Sequence, residues 1–473
     1  HTCNFPVAIC NFVTGCAERR RNKMMMMILL HRHHPIKWLA ITAAVLSIST
    51  NLQFSFADSN QGFSAGSPIP SMTENEDHQL TAVVIGASLA GMSAALGLAK
   101  VGMKVELLDK KKDRSRQGAV LGLAPNGLKA LEELLVGGND DEQSDMLRKF
   151  RDSGIPMPEG GVMLPWAVLR DFLFDEVGRN DNISYRPGLV MLDIDDDPSS
   201  PSAKVTFLNN DLVLEGDIIV GADGVNSRVR QVLGLPAASQ TGTTSWRGVL
   251  DASKAGSEFL YLLDRGIAPL VVREDGLFFL SFNFHDKIPG KIAWSLSSTA
   301  PQAKDCEHPL DLPIFKDGSS SNKDAIKQLR ALIDESSPSQ GGAYKSFQLA
   351  VIDLKLVDEW SNGGGWGGKG RVTIIGDAAH ALRPASGQGA SMAFEDSVLL
   401  CRKFSSEKAS SSGLNHNEFS MTCKNVSTIL RDFEKERLER VKIIWEEEWV
   451  LTENNLSGKE RRIWTDEYRE WLF

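Results

Sequence analysis

Two apolar runs separated by a glycine turn are the clearest pattern between residues 80 and 110. Residues 81–85 form the first run, and the stretch at 92–101 that follows the turn is rich in small residues. A second run, residues 104–108, ends at Asp109. This order predicts a strand, a turn, a helix and a second strand within about 30 residues, which is the arrangement of a βαβ unit.

Two later segments repeat an apolar run that ends in a turn of glycine and aspartate. Residues 217–220 lead into Gly-Ala-Asp-Gly, and residues 372–375 lead into Gly376 and Asp377. A helix is expected after each turn. Because ligands bind beyond the carboxyl ends of the strands in an open parallel sheet, three such turns in one chain predict more than a structural role.

The remaining β-type runs are short and separated by polar turns. Runs at 189–194, 204–208 and 212–214 predict a small meander that leads back into the parallel sheet. Longer runs at 277–284 and 292–296 predict the strands of an antiparallel domain, which also carries a predicted helix at Lys323 to Asp334.

The end of the chain has helical spacing. From residue 425 to residue 473, charged and apolar residues alternate as on an amphipathic helix. Leu438, Val441, Trp445 and Trp449 are expected on its packed face. The pattern favours a helical tail of the domain, with a partner-binding helix as the alternative.

Composition and charge exclude some classes of protein. The chain has 473 residues, of which 42% are hydrophobic and 24% charged, an ordinary balance for a globular protein of two domains or one large composite unit. Its net charge of -9 argues against a nucleic-acid binder, which needs a basic surface.

The six cysteines do not form a recognisable framework. Three of them lie in the first sixteen residues, and Cys306, Cys401 and Cys423 are scattered singly without a Cys-x-x-Cys spacing. This placement fits neither a disulfide framework nor a zinc site, so free thiols are expected.

Residues 1–78 are interpreted as a targeting and linker segment. The first 23 residues contain no methionine and are followed by Met24 to Met27, so we expect translation to start within that methionine run. The apolar run Trp38 to Ser49 follows a basic flank and has the length of a signal-peptide core. A secretory signal, with or without a plastid transit region, is the preferred interpretation; a retained membrane anchor or a disordered tail is the alternative.

The first glycine turn has the chemistry of a phosphate site. Gly86 permits the tight turn, and Gly91 allows the helix to pack closely on the strand. Backbone N–H groups at the start of the helix favour an anion. The turn as a whole comprises Gly86, Ser88, Leu89, Ala90 and Gly91, with Ser88 where the usual pattern has its second glycine. Asp109 is placed to accept hydrogen bonds from a ribose.

Several motifs occur in the order found in one family of flavoproteins. They are GASLAG at 86–91, GADGVNSRVR at 221–230 and GDAAHALRPASGQGASMAFEDS from Gly376, with smaller matches at 116–131 and 245–248. With these motifs the chain resembles the group A flavoprotein monooxygenases, the family of p-hydroxybenzoate hydroxylase, salicylate hydroxylase and zeaxanthin epoxidase. The resemblance covers roughly residues 80 to 400.

The resemblance implies an α/β fold with a Rossmann-like FAD-binding domain built on a parallel sheet. An antiparallel-sheet substrate domain and C-terminal helices complete it. The expected boundaries are 1–78 for targeting, 79–240 for the first part of the FAD-binding domain, 241–365 for the substrate domain, 366–405 for the return of the FAD-binding domain and 406–473 for the C-terminal helices.

The resemblance also implies roles for individual residues. Gly376 and Asp377 would bind the ribityl or pyrophosphate region of FAD, and Asp223 with Gly224 would serve FAD and the approaching nicotinamide. Arginines near the cofactor would be Arg116, with Arg114 as a substitute, and Arg170. The residues at the pyrimidine edge of the flavin would be Pro384, Gly387, Gln388 and Gly389.

Simpler interpretations of the same residues stay open. Asp223 and Asp377 could be turn or cap aspartates, and Arg170 a solvated helix residue. His380 is expected to be structural and not a base. The glycine-rich tract at 363–368 lacks the Ser or Thr and the helix of a P-loop and is expected to be a loop entering a strand.

Departures from the family pattern fall near the expected pocket. The interval from Leu131 to Arg170 is short, so part of the early substrate sheet is expected to be reduced. A shifted alignment places Trp166 where the family has its helix arginine. Ser391 stands where an asparagine is often found.

The implied reaction is a monooxygenation. NADPH or NADH reduces FAD, and one oxygen atom of O2 enters a small apolar aromatic or isoprenoid substrate, by hydroxylation or epoxidation. Peripheral membrane association is a further expectation. The expected pocket residues are Trp246, Arg247, Phe278, Phe282 and Phe284. Alternatives are a flavin-dependent reductase or halogenase on the same fold, or a non-catalytic flavin-binding protein.

Overall fold

The computed structural model describes most of the chain beyond residue 78. The described residues are 79–112, 120–135, 148–150, 152–157, 160–208, 210–251, 267–272, 277–284, 291–317, 323–336, 343–352, 365–384, 387–411 and 423–454. The targeting segment predicted at 1–78 lies outside them, as does Arg116.

A five-stranded parallel sheet forms the base of one half of the described fold. In spatial order its strands are β16 (Val372–Ile374), β10 (Ile218–Gly221), β1 (Thr81–Ile85), β2 (Lys104–Asp109) and β6 (Ile183–Pro187). All neighbouring pairs run parallel. The central strands are apolar without alternation and are buried along most of their length, as expected for a sheet covered on both faces.

Helices cover this sheet. They are α1 (Leu89–Lys100), α2 (Pro125–Leu135), α3 (Trp166–Gly178), α4 (Arg228–Val232), α7 (Asp377–His380), α8 (Gly389–Ser411) and α9 (Cys423–Asn454). Helix α1 lies against α8 at a close distance because Gly97 has no side chain: a Cβ there would lie 2.4 Å from Cys401 Sγ. The hydroxyls of Ser93 and Ser397 also meet across this contact, at 2.8 Å.

A second, antiparallel sheet forms the other half. Its strands, in spatial order, are β12 (Ile267–Val272), β13 (Leu277–Asn283), β14 (Lys291–Ser298), β11 (Ser239–Asp251) and β15 (Ala343–Val351). One face packs on helices α5 (Pro313–Asp317) and α6 (Lys323–Glu335) and on two short 3-10 helices, Pro301–Asp305 and Pro309–Asp311. The opposite face carries a small apolar cluster that includes Phe282 and Phe284.

Two small antiparallel sheets complete the described fold. One has the order β3 (Val120–Leu123), β5 (Val162–Pro165) and β4 (Ile155–Pro156), and the other β7 (Met191–Asp195), β8 (Ala203–Phe207) and β9 (Asn210–Gly216). Two strands of the first, β4 and β5, lie in the short interval between Leu131 and Arg170. The second is the predicted meander, which forms a sheet of its own before the chain returns to the parallel sheet at β10.

The predicted α/β architecture is confirmed in its main elements. The parallel sheet, the antiparallel sheet and the C-terminal helices all occur. Helix α9 buries Leu438, Val441 and Trp445 as the periodicity predicts, whereas residues 455–473 lie outside the described part. Cys306 and Cys401 are free thiols. Of the helices that the structure describes, none combines the length and the apolar character needed to cross a membrane.

Candidate functional site

The three turns predicted from sequence meet at the carboxyl ends of β1, β10 and β16. A Cβ on Gly86 would lie 2.4 Å from the carbonyl oxygen of Ala222, and a Cβ on Gly376 would lie 2.9 Å from the Cβ of Ala90. The N–H of Ile375 donates to the carbonyl of Gly221 at 2.9 Å. The turns are therefore in direct contact with one another, at the edge where open α/β sheets bind ligands.

The first turn ends at an uncapped helix start. Ser88 is the N-cap residue of α1, and its side chain makes no capping hydrogen bond. N–H groups in the first turn of a helix have no partner within the helix, so the start of α1, at Leu89 and Ala90, offers donors to an anion. Gly91 must lack a side chain, because a Cβ there would lie 1.7 Å from the carbonyl oxygen of Gly86.

Asp109 closes β2 beside this turn. Its side chain is buried, and its Oδ1 accepts a hydrogen bond from the N–H of Lys111 at 2.9 Å. Its carbonyl oxygen accepts from the N–H of Gly188 at 2.6 Å. The carboxylate is thus fixed at the strand end, the position from which a βαβ unit contacts a ribose.

Asp223 combines the two interpretations that the sequence leaves open. Its Oδ2 accepts from the N–H groups of Arg228 (2.6 Å) and Val229 (3.2 Å), which caps α4. Its Oδ1 is buried and has no hydrogen-bond partner among the described residues. A buried acceptor without a donor is uncommon in proteins, and a ligand hydroxyl or amide would satisfy it. Gly224 follows at a positive φ of 82°.

Arg230 connects the second turn to the third. Its side chain is buried, and it donates from Nε to the carbonyl of Pro236 (2.5 Å) and from a terminal nitrogen to that of Ala378 (3.2 Å). Burial lowers the pKa of Arg230 to about 10. The guanidinium thus fixes α4 against α7.

The third turn presents Asp377 at the surface. Gly376 adopts a φ of 57°, and Asp377 opens α7 with its side chain exposed. The protein around the other sides of this carboxyl raises its pKa by desolvation; His380 opposes that effect and Asp396 adds to it. Asp377 therefore has one accessible side on which a ligand hydroxyl could donate to it.

His380 is structural, as predicted. It is buried, and its Nε2 lies 2.7 Å from Oδ2 of Asp396, which also accepts from the N–H of Gly376 at 2.8 Å. Trp366, from the glycine-rich tract, packs on the His380 ring with centroids 5.4 Å apart. In its described residues, 365–368, that tract is a loop that leads towards β16.

The loop before α8 lies against the start of α2. Gly387 adopts a φ of 69°, and its N–H donates to the carbonyl of Pro384 at 3.2 Å. Gln388 is buried, and its Oε1 accepts from Nδ2 of Asn126 at 3.2 Å. Gly389 begins α8. Ser391 Oγ accepts from the N–H of Ala124 at 3.2 Å, so the serine in place of an asparagine has a defined partner.

A fully buried group of charges lies beneath the third turn. Arg437 of α9 donates to Asp396 Oδ1 and to Glu395 Oε2, each at 2.8 Å. Arg440 donates to Glu395 Oε1 at 3.1 Å, and Asn126 donates to the same oxygen at 2.6 Å. Burial opposes ionisation of both carboxyl groups, but the arginines, with His380 in the case of Asp396, hold each pKa below its usual value.

Arg170 makes its described contacts within its own helix. Its Nε donates to Asp171 at 2.8 Å, and its guanidinium carbon lies 5.1 Å from the centroid of the Trp166 ring. This cation–π pair at positions i and i+4 shows that the residue at the shifted alignment position, Trp166, and the arginine share one face of α3. Its predicted role towards a cofactor stays a prediction, as does that of Arg116.

A packed apolar cluster lies between the antiparallel sheet and the small β3–β5–β4 sheet. Phe282, Phe284 and Ala293 are buried in it, with Met163 packed against them. The cluster adjoins the loop before α8, because a Cβ on Gly122 would lie 3.6 Å from the carbonyl oxygen of Gly387 and 3.7 Å from Met163 Cε.

Two of the expected pocket residues, Trp246 and Phe278, are not buried in this apolar cluster. Trp246 faces the helix-side core, because alternate residues of β11 point to opposite faces, and its Nε1 donates to the carbonyl of Glu307 at 3.2 Å. Phe278 lies on the same face of β13 as Phe282 but is 45% exposed. Arg247 is half-buried, and burial lowers its pKa.

Comparisons with known proteins agree with this geometry. The FAD binding domain family matches residues 349–430, which span the third turn and the start of α9. 3-Hydroxybenzoate 6-hydroxylase 1 of Aquipseudomonas alcaligenes is 27% identical over 72% of this chain and 86% of its own length. An FAD-dependent monooxygenase of Colletotrichum higginsianum is 25% identical over 78% and 79% of the two chains. In sequence, the chain is therefore similar to FAD-dependent monooxygenases and hydroxylases.

Solved structures of low sequence identity share the fold of this chain. HpxO of Klebsiella pneumoniae, solved with FAD and uric acid, superposes with a TM-score of 0.58 at 20% identity, over 84% of this chain and 95% of its own. CtdE, solved with FAD and a substrate, gives 0.61 at 18% identity, over 79% and 89%.

The residues at the three glycine turns fit FAD. The uncapped start of α1 suits a pyrophosphate, the unpaired Oδ1 of Asp223 needs a donor, and Asp377 has an accessible side. Gly86 and Gly91 leave the backbone bare where a large cofactor approaches.

Sequence reasoning missed the buried side chains that support the flavin site. Those residues are Asn126, Arg230, Glu395, Asp396, Arg437 and Arg440. One available signal was the pair of adjacent acids in a helix whose other nearby residues are apolar. A buried acid requires a partner, although its identity cannot be derived from local sequence.

Proposed function

We propose that this chain uses FAD, NAD(P)H and O2 to hydroxylate or epoxidise a small apolar aromatic or isoprenoid substrate. The observation that carries the proposal is the meeting of the three glycine turns at the carboxyl ends of the parallel strands, where a Cβ on Gly86 would lie 2.4 Å from the carbonyl oxygen of Ala222. The apolar cluster lies beside the loop at Gly387 that follows the third turn. Bound FAD supplies the redox chemistry, taking a hydride from the nicotinamide and passing electrons to O2.

The chain's own residues bind and orient the cofactor. The N–H groups at the start of α1 would hold the pyrophosphate, Asp109 would accept from the adenosine ribose, and Asp377 would accept from the ribityl hydroxyls. Gln388 and Gly389, at the N-terminal end of α8, would bind the pyrimidine part of the flavin. The positive end of that helix would stabilise negative charge there.

The substrate is expected to bind beside the apolar cluster, which would help to exclude water. The side chains of Phe282, Phe284, Ala293 and Met163 are apolar, so an aromatic ring or an isoprenoid chain is favoured there over a sugar or a peptide. Exclusion of water protects the activated oxygen from unproductive release. One relative is a 3-hydroxybenzoate 6-hydroxylase, and HpxO, which shares the fold, was solved with uric acid, a polar ring.

The test uses the purified full chain. Flavin absorption bands, with FAD released on denaturation, are expected first. NAD(P)H oxidation is then measured with a panel of phenols and isoprenoids, and the product is analysed by mass spectrometry under 18O2. Incorporation of one labelled atom is the expected result.

The other candidate functions give different results in the same assays. A reductase consumes NAD(P)H without an oxygenated product, a halogenase requires halide and yields a halogenated product, and a flavin-binding protein shows no substrate-dependent oxidation. A colourless protein that cannot be reconstituted with FAD would overturn the proposal.

We also propose that residues 1–78 direct the enzyme into the secretory pathway or a plastid. The support is the apolar run from Trp38 to Ser49 behind a basic flank. Microscopy of a fluorescent protein fused behind residues 1–78 tests this, and a diffuse cytosolic signal would contradict it. Peripheral membrane association is tested by flotation of the full chain with lipid vesicles.

A further inference from the structure

The C-terminal helix α9 carries two buried arginines one turn apart. Arg437 and Arg440 are each at most 1% exposed. Desolvating a guanidinium is costly, so each needs a close anionic partner. The anionic partners of both arginines, Asp396 and Glu395, lie on α8. These two carboxylates differ in the other hydrogen bonds that they accept.

Asp396 is the point at which α9 is connected to the flavin turn. It accepts three hydrogen bonds, from Arg437 Nε at 2.8 Å, from Gly376 N–H at 2.8 Å and from His380 Nε2 at 2.7 Å. Gly376 directly precedes Asp377, and His380 ends the short helix that Asp377 begins. Along the chain, Asp377 therefore lies between two residues, Gly376 and His380, that are both held by the Asp396 carboxylate.

Arg440 has a different role. Its carboxylate partner is Glu395, which also accepts from Arg437 and from Asn126. Asp396 has no hydrogen bond to Arg440. The two arginines are thus matched in burial, charge and helix, but the guanidinium of Arg437 alone bonds the carboxylate that holds the flavin turn.

We propose that Arg437 and Asp396 are positioning residues of the flavin site. Arg437 holds the Asp396 carboxylate, and Asp396 fixes Gly376 and His380 so that Asp377 faces the cofactor. The proposal rests on the flavin-dependent function. Arg437, a residue of α9 that lies outside all three glycine turns, thereby determines the affinity for FAD.

The physical reason is the cost of an unpaired buried charge. Without Arg437, the Asp396 carboxylate is left in a dry site with His380 as its remaining ionisable partner. Protonation of Asp396 would relieve this charge and alter the hydrogen bonds at the turn. Removal of Arg440 takes one partner from Glu395 but removes none of the hydrogen bonds that Asp396 makes with Arg437, Gly376 and His380.

The experiment compares two matched pairs in the full-length protein: Arg437→Met with Arg440→Met, and Arg437→Lys with Arg440→Lys. FAD dissociation constants are measured by flavin fluorescence, visible circular dichroism of bound FAD is recorded, and unfolding is followed by denaturant. We expect Arg437→Met to weaken FAD binding about tenfold or more relative to Arg440→Met, the equivalent of one lost charge-assisted hydrogen bond, and to change the dichroism.

If the methionine variants fail to fold, the two lysine variants test whether Arg437 positions the flavin site. Lysine keeps the charge but cannot bond both carboxylates in the geometry of the guanidinium fork, so Arg437→Lys is expected to weaken FAD binding about threefold to tenfold. Arg440→Lys is expected to bind FAD as the wild type does.

Equal FAD affinities and equal dichroism within each pair would overturn the positioning role while leaving the flavin function intact. Failure of the wild-type chain to bind FAD would overturn both.

Discussion

Replacement of Gly91 by alanine tests whether the first turn is as tightly packed as the structure shows. The new Cβ would lie 1.7 Å from the carbonyl oxygen of Gly86, where about 3.0 Å is the closest real approach. The two must separate by about 1.3 Å. Because the opposing atom belongs to the backbone, it cannot rotate away, and either the turn or the start of α1 must move.

The size of the effect follows from two opposing terms. Overpacking of this kind costs about 3 kcal/mol, whereas alanine gains up to about 1 kcal/mol over glycine inside a helix. A net loss of about 2 kcal/mol in the free energy of unfolding is expected, measured by denaturant titration. FAD binding is expected to weaken at least about tenfold, because the donors at the start of α1 move with the turn.

Gly178→Ala is the matched control. Gly178 ends helix α3, and a Cβ there would meet nothing within 4 Å. This variant is expected to be as stable as the wild type or more stable by up to about 1 kcal/mol, with unchanged FAD affinity. A Gly91→Ala protein that matches Gly178→Ala in both measurements would refute the packing argument.

Three further predictions concern the surroundings of the site. Gly97→Ala should destabilise the protein by about 1–3 kcal/mol because its Cβ meets Cys401 Sγ, and adding Cys401→Ala should restore part of the loss; additive effects in a double-mutant cycle would contradict this. Burial raises the pKa of Glu434 from 4.5 to about 7, so the folded state retains a proton that the unfolded chain releases. Stability should therefore fall as pH rises from 4.5 to 7, and Glu434→Gln should flatten that slope in denaturant titrations; an unchanged slope would argue against it. Asp377→Ala should weaken FAD binding about tenfold with little change in unfolding free energy, since the side chain is exposed; normal affinity by fluorescence titration would exclude its role.

Local sequence patterns predicted the elements that form the turns. The apolar runs at β1, β2 and β10 and the glycines between them have short-range signals, and the structure places each within one or two residues of its predicted bounds. The meander was predicted as strands, but its separation into a sheet of its own depends on pairing partners that local sequence does not specify.

The buried charged residues that support the site could not be predicted from local sequence patterns. The periodicity of α9 correctly buries Leu438 and Val441, yet the same helix also buries Arg437 and Arg440. Their burial depends on carboxylates more than 40 positions earlier in the chain. Such pairing at long range leaves no periodic signal.

The order of the strands also has a consequence for biosynthesis. In the parallel sheet, Ile219 pairs with Val372, and the whole antiparallel sheet is encoded between them. On the ribosome, β1, β2 and β10 emerge long before β16, so the edge of β10 stays open while the inserted half is synthesised. Pairings so distant in sequence form slowly and expose unpaired edges to aggregation. The nascent enzyme is therefore expected to depend on chaperones until α9 has emerged, and to acquire its flavin only after release.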